Sequence, residues 1–178
     1  MSHISKNTTV EFVIARTNIL LFSSLLLLSI FLPSLIHDQA ITGPLINAIL
    51  LIATITLGTS QAMTIGLLPS VVALSRGLLP IALAPIVPFI MLANALYVLV
   101  FASLKDRNFA QAVVLASVSK FALLYFVSQQ LLASLLPSQF LTKASVMFSW
   151  PQLVTALAGG LIAYLILRVM EQKNFTDK

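Results

Sequence analysis

Apolar residues in this chain come in long, nearly unbroken runs, not in the one-sided stripes of a helix that faces water on its other side. Polar or proline-containing breaks divide the runs. Six spans result, over about residues 18–36, 43–57, 61–75, 84–104, 108–136 and 151–170. A membrane-crossing helix needs about 20 mostly apolar residues. The pattern therefore predicts an all-α membrane protein: a compact bundle of about six transmembrane helices, forming one transmembrane domain over residues 1–178. The breaks are short, except for a predicted loop around Ser138–Ser149, so no soluble domain is expected.

The second and third spans are short. At 1.5 Å per residue, fifteen residues reach only about 22 Å of a ~30 Å apolar layer. Such spans are longer than their apolar runs, or tilted, or partly re-entrant. The stretch Leu78–Pro88 carries Pro80, Pro85 and Pro88 and cannot be regular helix throughout, because each proline removes a donor and crowds the preceding turn. Irregular backbone at membrane depth needs protein or a water-filled cavity to satisfy it. Two readings stand: a polar pocket near the outer ends of helices three and four, or a proline-rich surface turn. A Leu-Pro-Ser tripeptide recurs at Leu32, Leu68 and Leu136 and reads as helix punctuation.

Composition strengthens the membrane reading. Hydrophobic residues make up 59% of the 178 and charged residues only 8%, against about 25% charged in soluble domains. The net charge of +5 does not point to nucleic acid, because the basic residues sit at span ends, where membrane topology explains them. With the N-terminus cytoplasmic, the inner segments carry Lys6, Arg16, Lys105, Arg107, Arg168, Lys173 and Lys178, and the outer ones only Arg76 and Lys143. That balance of seven to two supports six helices with both termini cytoplasmic, in the cell (inner or plasma) membrane. The first span lacks a small-x-small cleavage pattern and reads as a retained helix. There are no cysteines, which removes disulfides, thiolate metal sites and a thiol nucleophile.

One charge departs from this arrangement. Lys120 lies inside the fifth apolar run. A lysine near a bilayer centre costs roughly 2.5–3.5 kcal/mol on insertion scales and marks a functional position by default. The eleven Leu, Val and Phe residues between Gln111 and Leu132 offset it by roughly 3–7 kcal/mol. Ala116 and Ser117, one turn back, make part of its face small and polar. Three readings remain: Lys120 binds an anionic or carbonyl-bearing ligand, bonds carbonyls or Asn side chains within the bundle, or snorkels to the cytoplasm.

The other polar residues in apolar runs are Asn94, near mid-depth in helix four, and Asn47, placed near the outer end of helix two. Each needs an inter-helix partner or a ligand. Gln129, with Gln130, lies toward the outer end of helix five. Trp150 and Gln152 open helix six, as an interface anchor or as a platform at a pocket mouth. Arg76 in the third loop is placed to steer an anion or to pair with Asp38. The candidate binding set is Lys120, Asn94, Trp150, Gln152, Arg76 and Gln129. In helix six, Ala156/Gly160 and Gly159/Ala163 form small-x-x-x-small pairs that let helices approach closely, within the bundle or against a partner.

Catalysis has little to work with. His3, His37 and all five acids avoid the helix interiors, and neither an H-E-x-x-H zinc pattern nor a phosphate-binding loop is present. No enzyme activity, cofactor or metal is expected.

Size and topology resemble the substrate-binding S component of energy-coupling-factor (ECF) transporters. More locally, Gly43-Pro44-Leu45-Ile46-Asn47-Ala48, Leu68-Pro69-Ser70 through Arg76-Gly77-Leu78-Leu79-Pro80, Ala84-Pro85-Ile86-Val87-Pro88-Phe89-Ile90 and Asn94-Ala95 are similar to S-component-like sequences. The resemblance implies an integral membrane subunit that captures a vitamin or related micronutrient from outside, in a closed outer pocket lined from helices four to six. Its implied partners are membrane lipid, a membrane T subunit and two cytoplasmic ATPases. The family's Ala-x-x-x-Ala docking pattern is absent from helix one, whose small residues are serines, among them Ser23, Ser24 and Ser29. Either this chain does not dock on a shared T subunit, or it uses another surface. The alternative is a non-transporting scaffold or anchor subunit of a larger complex.

Overall fold

The computed structural model describes residues 2–36, 38–77, 79–136 and 138–176, with side chains over 15–172 apart from 37, 78, 133, 137 and 143. His37, Leu78 and Pro137 thus lie outside the described residues, as do the side chains of Lys6, Lys143 and Lys173 and all of Lys178 in the charge balance. Every regular element among the described residues is helical: α1 (Ser2–Leu35), α2 (Gln39–Thr56), α3 (Thr59–Ser75), a 3-10 segment (Ile81–Ile86), α4 (Val87–Leu104), α5 (Phe109–Gln130), the single turn α6 (Leu132–Leu135), α7 (Ser138–Met147) and α8 (Trp150–Thr176).

Among the described residues, five stretches are long and apolar enough to cross a membrane: Ala15–Leu35, Gln39–Thr56, Ile81–Leu104, Phe109–Gln130 and Ser138–Gln172. The chain is a multi-pass, all-α membrane protein. Helix α3, with 17 residues, extends about 25 Å and stays shorter than a full span.

Local chemistry sets the ends. Asp38 caps α2, its carboxylate accepting from Ala40 N at 2.8 Å, and so starts the helix at Gln39, earlier than the apolar run suggested. Asn108 caps α5 in the same way through Gln111 N at 2.9 Å. The α2–α3 turn pivots on Gly58 at φ +99°, a left-handed backbone that favours glycine. The proline stretch is a 3-10 helix that leads into α4 with Pro88 in the first turn. Pro69, expected near a helix end, lies inside α3.

The predicted loop Ser138–Ser149 contains a helix. Phe140, Leu141, Ala144, Met147 and Phe148 fall at helical spacing, and this stripe packs on Leu83 and Ile86 of the 3-10 segment and on Leu124 and Leu132. The fifth predicted span is correspondingly too long: regular helix stops at Gln130 and continues as α6.

Packing differs between the two ends. At the end holding the α2–α3 and α4–α5 turns, Leu50, Leu51, Ala53, Ala62, Phe101, Ala112 and Ala163 are fully buried in one cluster. Helix α2 lies centrally, against α8, α3, α1 and α4. The small residues of α8 let it approach α2 and α5 closely in the middle of the bundle. A Cβ at Gly159 would lie 2.5 Å from Asn47 Cβ and 2.8 Å from Pro44 O, and one at Gly160 would overlap Val113. At the opposite end, where α1 stops and α2, α4 and α8 begin, the helices part around a cavity.

Candidate functional site

The cavity holds about 400 Å³, within the size range of small-molecule sites. Its lining comes from α1, α2, α3, α4, α5, α7 and α8, not from the later helices alone. The expectation of a pocket lined from helices four to six is thus widened: α4, α5 and α8 contribute, and α1, α2, α3 and α7 do as well. Central α2 forms one wall, from exposed Gln39 to buried Asn47.

Lys120 forms the floor. It sits twelve residues along α5, is 4% exposed and lines the cavity. Its ammonium donates to Asn47 Oδ1 at 2.6 Å and to Asn94 Oδ1 at 2.8 Å. An ammonium has only donors, so both amides must turn their oxygens toward it. Asn94 then points Nδ2 at Gly66 O, 2.9 Å away on α3. Four helices are thereby tied at one level. Lys120 Nζ also lies 5.4 Å from the ring centroid of Tyr97, a cation–π distance. The Tyr97 hydroxyl donates to Ala156 O at 3.0 Å and adds α8.

Of the three readings for Lys120, snorkelling is excluded by this geometry, while hydrogen bonding within the bundle and exposure to a cavity occur together. Asn47 is deeper than its place in the apolar run implied. With α2 starting at Gln39 it is the ninth helical residue. The legible signal was Asp38, a capping residue just before the helix.

The other candidates divide. Gln152 lines the cavity and donates through Nε2 to Met147 O at 3.0 Å, tying α8 to the end of α7. Trp150, 65% exposed, is outside the lining. Arg76 is exposed at the end of α3, where its backbone N–H caps Val72 O, and makes no ion pair with Asp38. Gln129 is exposed and bonds Ser128 Oγ at 3.4 Å, away from the cavity. Sequence reasoning did not single out Ser70 or Phe148, both buried and both in the lining. Phe148 was visible as the last member of the α7 stripe.

No group of three or more His, Asp or Glu side chains able to hold a metal occurs among the described residues. No family model, curated protein or solved structure matches the chain.

Proposed function

We propose that this protein is a membrane-embedded capture subunit for a small molecule, acting as the S component of an ECF-type importer. The observation that carries the reading is Lys120, a buried cation held by two amides at the floor of a cavity that opens at one end of the bundle. A scaffold has no use for a charge that is expensive to bury and placed beside empty space. A binding subunit has. In this reading both termini are cytoplasmic, the cavity faces outward across the cell membrane, and the cargo is a micronutrient. ATP-driven release falls to a T subunit and two ATPases, with docking on a surface other than an Ala-x-x-x-Ala face of α1.

Native mass spectrometry of the freshly purified chain tests the reading. The expected result is a co-purified small molecule that is lost in Lys120→Met. A chain that carries nothing, and takes up nothing from an extract of small metabolites, overturns it.

A further inference from the structure

Among the described residues, the cavity lining contains one formally charged side chain, Lys120, and no Asp or Glu. Both acceptors on its ammonium are neutral amides. The one ion pair among the described residues, Lys105–Asp106, is at the opposite end of the bundle. An ammonium has three N–H donors, and these two bonds use two of them. A buried cation without a counter-charge is costly, and supplying that charge is the strongest contribution a ligand can make here.

Ser70 provides a second, independent observation. It is 7% exposed and lines the same cavity, and its hydroxyl makes no hydrogen bond among the described residues. Many Ser and Thr residues in this fold bond a carbonyl one turn back, as Ser119 does to Leu115 O at 2.8 Å. For Ser70 that carbonyl is Gly66 O, which already accepts from Asn94 Nδ2. Ser70 follows Gly66 by one turn of α3, a rise of about 6 Å between their Cα atoms. Asn47 Nδ2 likewise has no acceptor among the described residues, because its amide is turned to give Oδ1 to Lys120. The unused polar capacity around the floor is thus mainly N–H and O–H donors. Much of the remaining wall is apolar, including Ile90, Met147 and Phe148.

We infer that the cavity selects a monocarboxylic acid with a compact apolar or aromatic body, its carboxylate seated on Lys120. One cation matches one negative charge. A phosphate ester, at about −1.5 to −2, would remain undercompensated over an apolar wall. This inference rests on the capture reading above and deepens it.

The test titrates the purified full chain with 2-naphthoate, 4-phenylbutyrate and octanoate, each beside its primary amide, and reads binding by thermal shift and native mass spectrometry. Each acid that fits is expected to bind about tenfold or more tightly than its amide, the worth of a charge-assisted hydrogen bond. Ser70→Ala should weaken the acids about threefold or more with an unchanged melting temperature. Lys120→Met should abolish the preference. Should that variant fail to fold, Asn47→Asp decides, because it supplies the counter-charge from within the protein and should abolish acid binding in a folded chain. Equal binding of acids and amides, or a neutral or cationic co-purified molecule, overturns the acid class while capture stands. A co-purified monoacid supports it even where none of the three probes fits. A cavity that neither co-purifies nor binds anything overturns both.

Discussion

The two ends of this bundle are made of similar apolar residues and come out opposite. At the turn end, Leu50, Leu51, Phe101 and Ala112 are fully buried against one another. At the other end, Ile36, Ile90 and Phe148 line about 400 Å³ of space. Hydrophobic content does not decide the difference. Small residues on α8 let α2 and α5 close up in the middle of the bundle. Prolines intervene at the open end: Pro33 in α1, Pro69 in α3, and Pro80, Pro85 and Pro88 around the 3-10 segment. Each removes a backbone donor, and Pro33, Pro69 and Pro85 lie inside helices, where they perturb the regular ladder. Lys120, Asn47 and Asn94 form the boundary between the two regimes.

The largest effect expected from breaking this contrast lies at the closed end. Phe101 is fully buried and packs edge-on against Phe109, with centroids 5.4 Å apart. Phe101→Ala should cost about 3–5 kcal/mol, measured by denaturant unfolding in detergent. A cost near zero would mean the turn end is not the solid half. Gly159→Val comes next. The groups its side chain would meet include Pro44 O and Ala48 N, backbone that cannot swing aside. The variant should lose about 3 kcal/mol, and it should disturb the cavity too, because Asn47 Cβ is the nearest atom. Intact binding in a destabilised Gly159→Val would show that the two halves are uncoupled.

At the boundary, Asn94→Ala removes one acceptor from the ammonium and the donor to Gly66 O. Hydrogen bonds to charged groups are worth about 1.5–3 kcal/mol, and a loss of about 2 kcal/mol is expected by the same unfolding assay. Because Gly66 O would then be free to accept from Ser70, the variant should also weaken ligand capture. A stable variant with full capture would remove Asn94 from the boundary.

How much of this was legible follows the same division. Runs of apolar residues mark spans regardless of what packs on them, so the helical bundle could be read directly. Lys120 was conspicuous because charge is rare at that depth. Asn47 was undervalued because its depth depends on the α2 start, fixed by a cap at Asp38 and not by hydropathy. Helix α7 reads as a loop by hydropathy because Ser138, Gln139, Thr142 and Lys143 make the segment more polar than a membrane span, although its stripe of Phe140, Leu141, Ala144, Met147 and Phe148 has helical spacing. The exclusion of Trp150, Arg76 and Gln129 from the cavity could not be read at all. Sequence gives depth along each helix, but which face turns inward depends on neighbours contributed by distant segments.

The smallest effect expected separates the boundary from the solid core beneath it. Ser117 is fully buried, one turn before Lys120, and its Oγ has no hydrogen-bond partner among the described residues. An orphan hydroxyl in a packed interior is a cost, not a gain. Removing it in Ser117→Ala takes away one atom from a site where Ala116 already packs fully buried. The variant should therefore be neutral or more stable by up to about 1 kcal/mol, with ligand capture unchanged. A loss of more than about 1 kcal/mol would mean that the hydroxyl is bonded after all, with Tyr97 as the nearby phenol. The polar layer around Lys120 would then extend a turn deeper into the closed half, and Tyr97 would belong to it as a hydrogen-bonding member and not only as a ring beneath the ammonium.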